Sequence, residues 1–285
     1  MKLLKSIEEV REYILNCKNK NFSIGLVPTM GYLHEGHGSL IKQARKNNDK
    51  VVVSIFVNPI QFGPTEDLST YPRDLEKDSL FCESLGVDVI FAPSSKKMYP
   101  SNSISTFVTV NNITEVLCGA KRPGHFQGVC TVVSKLFNII SPTRAYFGEK
   151  DYQQLTVIKT MVKELNFPVE IIGCPIVRED DLLAKSSRNS YLSNTERQDA
   201  LVLYKSLLKC KDLISTGEFI TANIKKEMEA IIHSVSSSKI DYIDIVDTNN
   251  LMPVELINHD VLVALAVYIG ETRLIDNMTF KIKEA

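Results

Sequence analysis

Two of the five histidines in this chain stand three residues apart, at His34 and His37, inside the stretch VPTMGYLHEGHGSLI (27–41). An apolar run precedes them and good helix formers follow, so the pair falls where a strand hands over to a helix. Gly31 and Gly36 can take backbone angles denied to other residues. A helix start leaves backbone N–H groups unpaired and carries partial positive charge, so it receives phosphate readily. Two imidazoles there add donors that help most where negative charge builds up at phosphorus. A metal site is less favoured. H-x-x-H supplies two ligands, but no H-E-x-x-H pattern and no Cys or Asp cluster accompanies it. Surface histidines in a turn are the plainer alternative.

Three further stretches carry chemistry. VSIFVNPIQFGPTEDLSTYPR (53–73) ends a buried run with Asn58, Pro59 and Gln61. Glutamine offers a donor and an acceptor without charge, which suits a ligand bearing hydroxyls and a reactive carboxylate. YFGEKDYQQL (146–155) follows a strand with Gly148, Glu149, Lys150 and Asp151. Lys150 can meet phosphate as a point charge, and Asp151 can hold magnesium directly or through water. AKSSRNSYLS (184–193) offers Ser186, Ser187 and the planar fork of Arg188 to a polyphosphate. A fourth stretch, LCGAKRPGHFQGVCTVV (117–133), presents Arg122 and His125, with Gly124 and Gly128 bracketing a turn into a helix; a purely structural reading is equally open there.

These motifs are expected to hang on a doubly wound α/β domain. Strands are predicted at 23–27, 51–57, 87–91, 144–148 and 169–177, alternating with helices near 37–48, 73–85, 126–140 and 151–166. Several strands are continuous and β-branched, as parallel strands buried on both faces should be. Ligands bind beyond the carboxyl ends of such strands, where the histidine motif falls. After about residue 193 helices come first (195–215, 219–236) and strands follow (240–247, 261–270), predicting a smaller C-terminal α+β domain. The expected division is 1–176 and 177–285, with the polar segment 178–194 as joint.

Composition bounds the rest. The chain has 285 residues, 44% hydrophobic and 24% charged, with a formal net charge of −1. That balance argues against a dedicated nucleic-acid binder. No apolar run approaches the roughly 20 residues of a membrane span, so no membrane partner is expected. MKLLKSIEEVREYI at the start reads as an amphipathic helix, not a secretion signal. The six cysteines include no C-x-x-C pair, which predicts reduced thiols and a cytoplasmic setting.

H-x-G-H resembles the signature of the nucleotidyltransferase superfamily, shared by adenylyltransferases and class I aminoacyl-tRNA synthetases. PTMGYLHEGHGSL, with N-P-x-Q-F, F-G-E-K-D-Y-Q-Q and S-S-R-N in order, resembles the pantoate–β-alanine ligase family in particular. The likeness covers most of residues 1–195 and is weaker beyond. It implies ATP-dependent condensation of D-pantoate with β-alanine through pantoyl adenylate, with Mg2+, in a homodimer. It assigns Met30, Gly31, Tyr32, Leu33, His34, Glu35, Gly36 and His37 to ATP, together with Gly148, Glu149, Lys150, Asp151, Val177, Lys185, Ser186, Ser187 and Arg188. His37 is the implied proton donor; His34, Lys150 and Arg188 join it as catalytic. Gln61, Gln154, Asn58, Phe56 and Phe147 are implied at pantoate, the phenylalanines beside its gem-dimethyl group. No protein metal site is implied. The C-terminal domain is expected to act as a lid. Lys185 stands where the family often has Met, and Cys118 where some members have Glu; Cys118 receives no role. Three rivals are a nucleotidyltransferase that ignores β-alanine, an aminoacyl-tRNA synthetase relative, disfavoured by length and charge, and a non-catalytic nucleotide-binding module, which could lose the paired cations retained here.

Overall fold

A computed structural model describes residues 1–64, 66–100 and 104–282. Its contacts divide into two units, residues 1–114 with 122–175, and 115–121 with 176–285. The polar segment 178–194 lies wholly in the second unit, which also takes Glu115–Lys121 from the middle of the first.

The first unit contains β1 (Lys2–Leu4), α1 (Ile7–Lys18), β2 (Ile24–Thr29), α2 (Glu35–Asn47), β3 (Lys50–Ile55), α3 (Leu75–Ser84), β4 (Val89–Phe91) and α4 (Ser95–Met98). After α5 (Leu117–Lys121), which groups with the second unit, come α6 (His125–Ile140), β5 (Arg144–Gly148), α7 (Tyr152–Glu164) and β6 (Glu170–Cys174). The six strands form one parallel sheet in the order β1-β4-β3-β2-β5-β6. Chain order reverses at β2, with β3 on one side and β5 on the other, so α2 leaves from the switch point of the sheet. Leu40, Ile41 and Ala44 of α2 pack on Val27, Val51, Val53 and Tyr146. Each large aliphatic side chain buried this way contributes about 1.5–3 kcal/mol. The Tyr146 hydroxyl accepts from Asn48 Nδ2 at 2.7 Å, tying the end of α2 to β5. Most of α6 is buried, as its nearly continuous apolar sequence requires.

The second unit holds α8 (Asn194–Asp199), α9 (Val202–Ser215), α10 (Thr221–Ile232), β7 (Ser238–Asp247), β8 (Val261–Ile269) and β9 (Thr272–Phe280). Its three strands form an antiparallel sheet, β7-β8-β9. Leu203, Leu207, Ile224 and Met228 join Ile243, Val263 and Val267 in its core.

The fold class matches expectation; several boundaries do not. Residues 2–4 pair with β4 instead of opening a helix, because the S-x-x-E capping box formed by Ser6 and Glu9 starts α1 at Ile7. The strand expected to 177 ends at Cys174, before Pro175. The helix expected over 195–215 divides into α8 and α9. β9 was not anticipated, since its polar residues Asp276 and Asn277 are buried and blur the alternation.

Candidate active site

The histidine motif is positioned by a chain of local hydrogen bonds. At the end of β2, Thr29 Oγ1 donates to Ser54 O at 2.8 Å and accepts from Gly31 N at 3.2 Å. Gly31 and Tyr32 then turn through the left-handed region, with φ of 85° and 53°. Only glycine suits the first position: a Cβ there would lie 2.9 Å from Asp78 Oδ2. Asp78, buried on α3, accepts from Tyr32 N at 2.8 Å and Leu33 N at 2.7 Å. Burial raises its pKa against the pull of those two N–H groups. Gly36 was expected to need unusual angles; it sits instead inside the first turn of α2, and Gly31 and Tyr32 carry the turn.

His34 caps α2. Its Nδ1 accepts from Gly36 N at 3.1 Å, while His34 N donates to His37 Nδ1 at 3.3 Å. These bonds fix both tautomers. With Nδ1 accepting, the proton of each neutral ring is on Nε2. The two rings lie 4.2 Å apart, tilted by 40°. Burial, then His34, then Lys150 push the His37 pKa down to about 3. At neutral pH, His37 is therefore an uncharged imidazole that donates through Nε2–H. Glu35, in the first turn, is exposed and complements the helix dipole.

Gly148 ends β5 and caps the short 3₁₀ turn Glu149–Asp151, which runs into α7. Lys150 is largely covered, its Nζ 4.0 Å from Asp151 Oδ2, and Asp151 is half exposed. The two glutamines that follow separate. Gln153 is buried, with Nε2 donating to Ile113 O at 2.8 Å, and Gln154 is partly exposed. Phe56 and Phe147 are both buried. Asn58 is 1% exposed, and its amide is committed within the protein: Nδ2 donates to Gly128 O at 3.0 Å and Gln61 Oε1 at 3.1 Å, and Oδ1 accepts from Tyr99 OH at 2.9 Å. Gln61 Nε2 points at Met30 Sδ, 3.1 Å away. A cavity of about 880 Å³ adjoins this region, lined by Met30, Gly31, Phe56 and Asp78 among others.

Arg122 and His125 form a relay with Glu66. Arg122 meets the carboxylate of Glu66 through Nε and Nη2, and Nη1 lies 3.0 Å from His125 Nε2. His125 Nδ1 lies 2.8 Å from Gln61 O. Burial, then Arg122, lower the His125 pKa to about 4. Through His125 Nδ1 the pair holds the backbone of the 59–61 turn.

The remaining candidates belong to the second unit. Lys185 N donates to Val177 O at 2.9 Å and Arg178 bridges Ala184, so Val177 and Lys185 sit side by side on a small hairpin. Arg178 anchors it with a two-pronged bond to buried Asp276 at 2.6 and 3.0 Å. Ser186 caps the 3₁₀ turn Ser187–Tyr191 that carries Ser187 and Arg188. Lys185 Nζ lies 3.3 Å from Glu179 Oε2. Cys118 Sγ lies 3.4 Å from Tyr242 OH and 3.5 Å from Arg273 Nη2, a structural contact within the same unit. Among the described residues no group of three or more His, Cys, Asp or Glu could hold a metal ion, and no helix is long and apolar enough to cross a membrane.

Residues 2–279 match the model of the family described as pantoate–β-alanine ligase. The chain belongs to that family. It is 60% identical to the pantothenate synthetase of Clostridium botulinum strain Kyoto over 282 residues, covering 99% of this chain and 100% of that one. A Clostridium acetobutylicum pantothenate synthetase is 56% identical with the same coverage. A crystal structure of the Thermus thermophilus pantothenate synthetase superposes with a TM-score of 0.92 at 45% identity, covering 98% of this chain and 99% of that chain. The Francisella tularensis pantoate–β-alanine ligase, solved with β,γ-ATP and β-alanine, gives 0.81 at 38% identity, covering 98% and 97%. Asp78 and Tyr99, which lie outside the motifs read in the sequence, support them across distances of 41 to 46 residues along the chain; no local pattern announces such a contact.

Proposed function

We propose that this enzyme condenses D-pantoate with β-alanine at the expense of ATP, giving pantothenate, AMP and pyrophosphate. Family membership over nearly the whole chain supports the reaction. The observation that carries the mechanism is the pair of neutral imidazoles at the start of α2, each with its proton on Nε2.

A carboxylate reacts poorly with an amine in water because its oxygen is a bad leaving group. One pantoate carboxylate oxygen attacks the α-phosphorus of ATP, and pyrophosphate leaves. The amine of β-alanine then attacks the acyl carbon of pantoyl adenylate, the C–O bond breaks, the amine proton is lost, and AMP departs with that oxygen. Residues 30–37 receive ATP at the switch point of the sheet. His34 and His37 donate to phosphate oxygens as charge develops, and Lys150 adds a fixed cation beside them. With Nδ1 accepting from His34 N, His37 offers Nε2–H to the phosphates as a hydrogen-bond donor. We assign Gly148–Asp151 to the nucleotide as well and, in the second unit, Val177 and Lys185–Arg188, with Arg188 neutralising phosphate charge. Gln61 and Gln154 hold pantoate, Phe56 and Phe147 wall its apolar end, and Asn58 positions Gln61.

Magnesium fits an arrangement in which half-exposed Asp151 gives one oxygen and the ATP phosphates and water give the rest. When bound, it would draw charge from the phosphates. The first unit then acts as the ATP and pantoate domain and the second as the lid, in a cytoplasmic homodimer; six unpaired cysteines suit that compartment.

The test is isotopic. Pantoate labelled with 18O in its carboxylate should deliver one labelled oxygen to AMP for each pantothenate formed. Unlabelled AMP beside labelled pantothenate would rule out the acyl adenylate.

A further inference from the structure

The orientation of a side-chain amide is decided by its unambiguous partners, and around Asn58 and Gln61 those partners form a directed chain. Gly128 O is a backbone carbonyl and can only accept. The amide atom of Asn58 that faces it at 3.0 Å is therefore Nδ2. The same Nδ2 faces Gln61 at 3.1 Å, so the Gln61 atom there must accept and is Oε1. Asn58 Oδ1 receives the Tyr99 hydroxyl at 2.9 Å. Burial raises the Tyr99 pKa, so the phenol keeps its proton. Its ring is held by Phe56, with centroids 6.2 Å apart, and by Lys135 Nζ, 5.4 Å from the centroid.

A second directed chain holds the backbone of the same residue. Arginine can only donate, so His125 Nε2 accepts from Arg122 and its Nδ1–H donates to Gln61 O. Both chains need α6 to approach the 59–61 turn closely. Gly128 permits it: a Cβ there would fall 2.5 Å from Ile60 O and 2.6 Å from Gln61 Cα.

We propose that the Gly128 carbonyl, through Asn58, fixes the amide polarity of Gln61, with Tyr99 the positioning residue that holds Asn58 Oδ1 in place, so that Gln61 meets its ligand through its Nε2 donor group. Its Nε2 group faces Met30 Sδ, a weak acceptor that a ligand oxygen replaces with profit. The group recognised is thus an acceptor oxygen, such as the carboxylate or hydroxyl oxygens of a hydroxy acid. An ammonium or amide N–H presented at the same point would meet donor against donor. The identity of the acid rests on the proposed function; the polarity of Gln61 does not.

Side-chain 15N NMR on the full chain separates the two. The NH2 signals of Asn58 and Gln61 can be assigned from their loss in Asn58→Ser and Gln61→Ala. Without ligand, the Asn58 protons should exchange slowly with solvent and the Gln61 protons quickly. Saturating D-pantoate should then move the Gln61 signals and leave those of Asn58. Slow exchange at Gln61 with fast exchange at Asn58 would overturn the proposal, whatever binds. The expected ligand-free pattern without a D-pantoate shift would support the polarity and overturn the choice of acid. As a kinetic check, Tyr99→Phe should raise KM for pantoate about three- to tenfold, the worth of one hydrogen bond, with kcat within about twofold and KM for ATP unchanged. A uniform loss across all substrates would contradict a role directed at Gln61.

Discussion

His37 and His125 are held uncharged in similar ways: each partly buried ring is shielded from solvent and faces nearby charge, from His34 and Lys150 for one and from Arg122 for the other. The unfolded chain regains ordinary histidines, which take up protons near pH 6.5. Between that value and about pH 4 the unfolded state binds protons that the folded state refuses. Stability is complete above the ordinary histidine pKa and declines as pH falls through this window. Urea titrations at pH 7 and pH 5 should show the decline, and His125→Gln should remove part of it; an unchanged difference between the two pH values in that variant would contradict the assignment. For catalysis, His37→Ala should slow adenylate formation about 10²–10³-fold, the cost of one donor to developing negative charge. Near-normal single-turnover adenylation would refute that role. The histidines were legible because H-x-G-H at a strand–helix junction is a local pattern. Their tautomers were not, because these depend on which backbone N–H groups face Nδ1 once α2 has formed.

At the scale of elements, the site depends on contacts between segments far apart in sequence. Asp78 on α3 accepts two backbone N–H groups from the turn that launches α2. Asp78→Ala leaves both donors without their partner, and we expect a loss of about 2–3 kcal/mol by urea denaturation. Asp78→Asn, which keeps an acceptor, should lose less; equal losses would mean that bulk rather than hydrogen bonding is at stake. Gly128→Ala should push α6 off the 59–61 turn, cost about 1–3 kcal/mol as overpacking does, and weaken pantoate binding together with stability. Strand and helix periods made β2, β5, α6 and α7 readable within a few residues, since each buries one clear face or is buried throughout. β1 and β9 escaped for different physical reasons. Three residues are too few to display a period, and the alternation of β9 is broken by Asp276, which is buried because Arg178 pairs with it.

For the whole molecule, the motifs scattered over residues 27–193 fall on two frames. Three of them follow strand ends on the parallel sheet, and the fourth lies on the hairpin and 3₁₀ turn of the second unit. That hairpin depends on Arg178, whose partner Asp276 has a side chain only 1% exposed. Arg178→Ala strands a buried carboxylate and should destabilise the protein by about 3–5 kcal/mol, measured by urea denaturation; a change below about 1 kcal/mol would show the pair to be dispensable. The enzymatic claim itself is tested most directly by following AMP with purified protein, ATP, magnesium, D-pantoate and β-alanine. We expect AMP to accumulate in step with pantothenate and to fall to at most one equivalent per site when β-alanine is omitted. Folded protein that forms no AMP with every substrate present, or that turns over equally well without β-alanine, would contradict it.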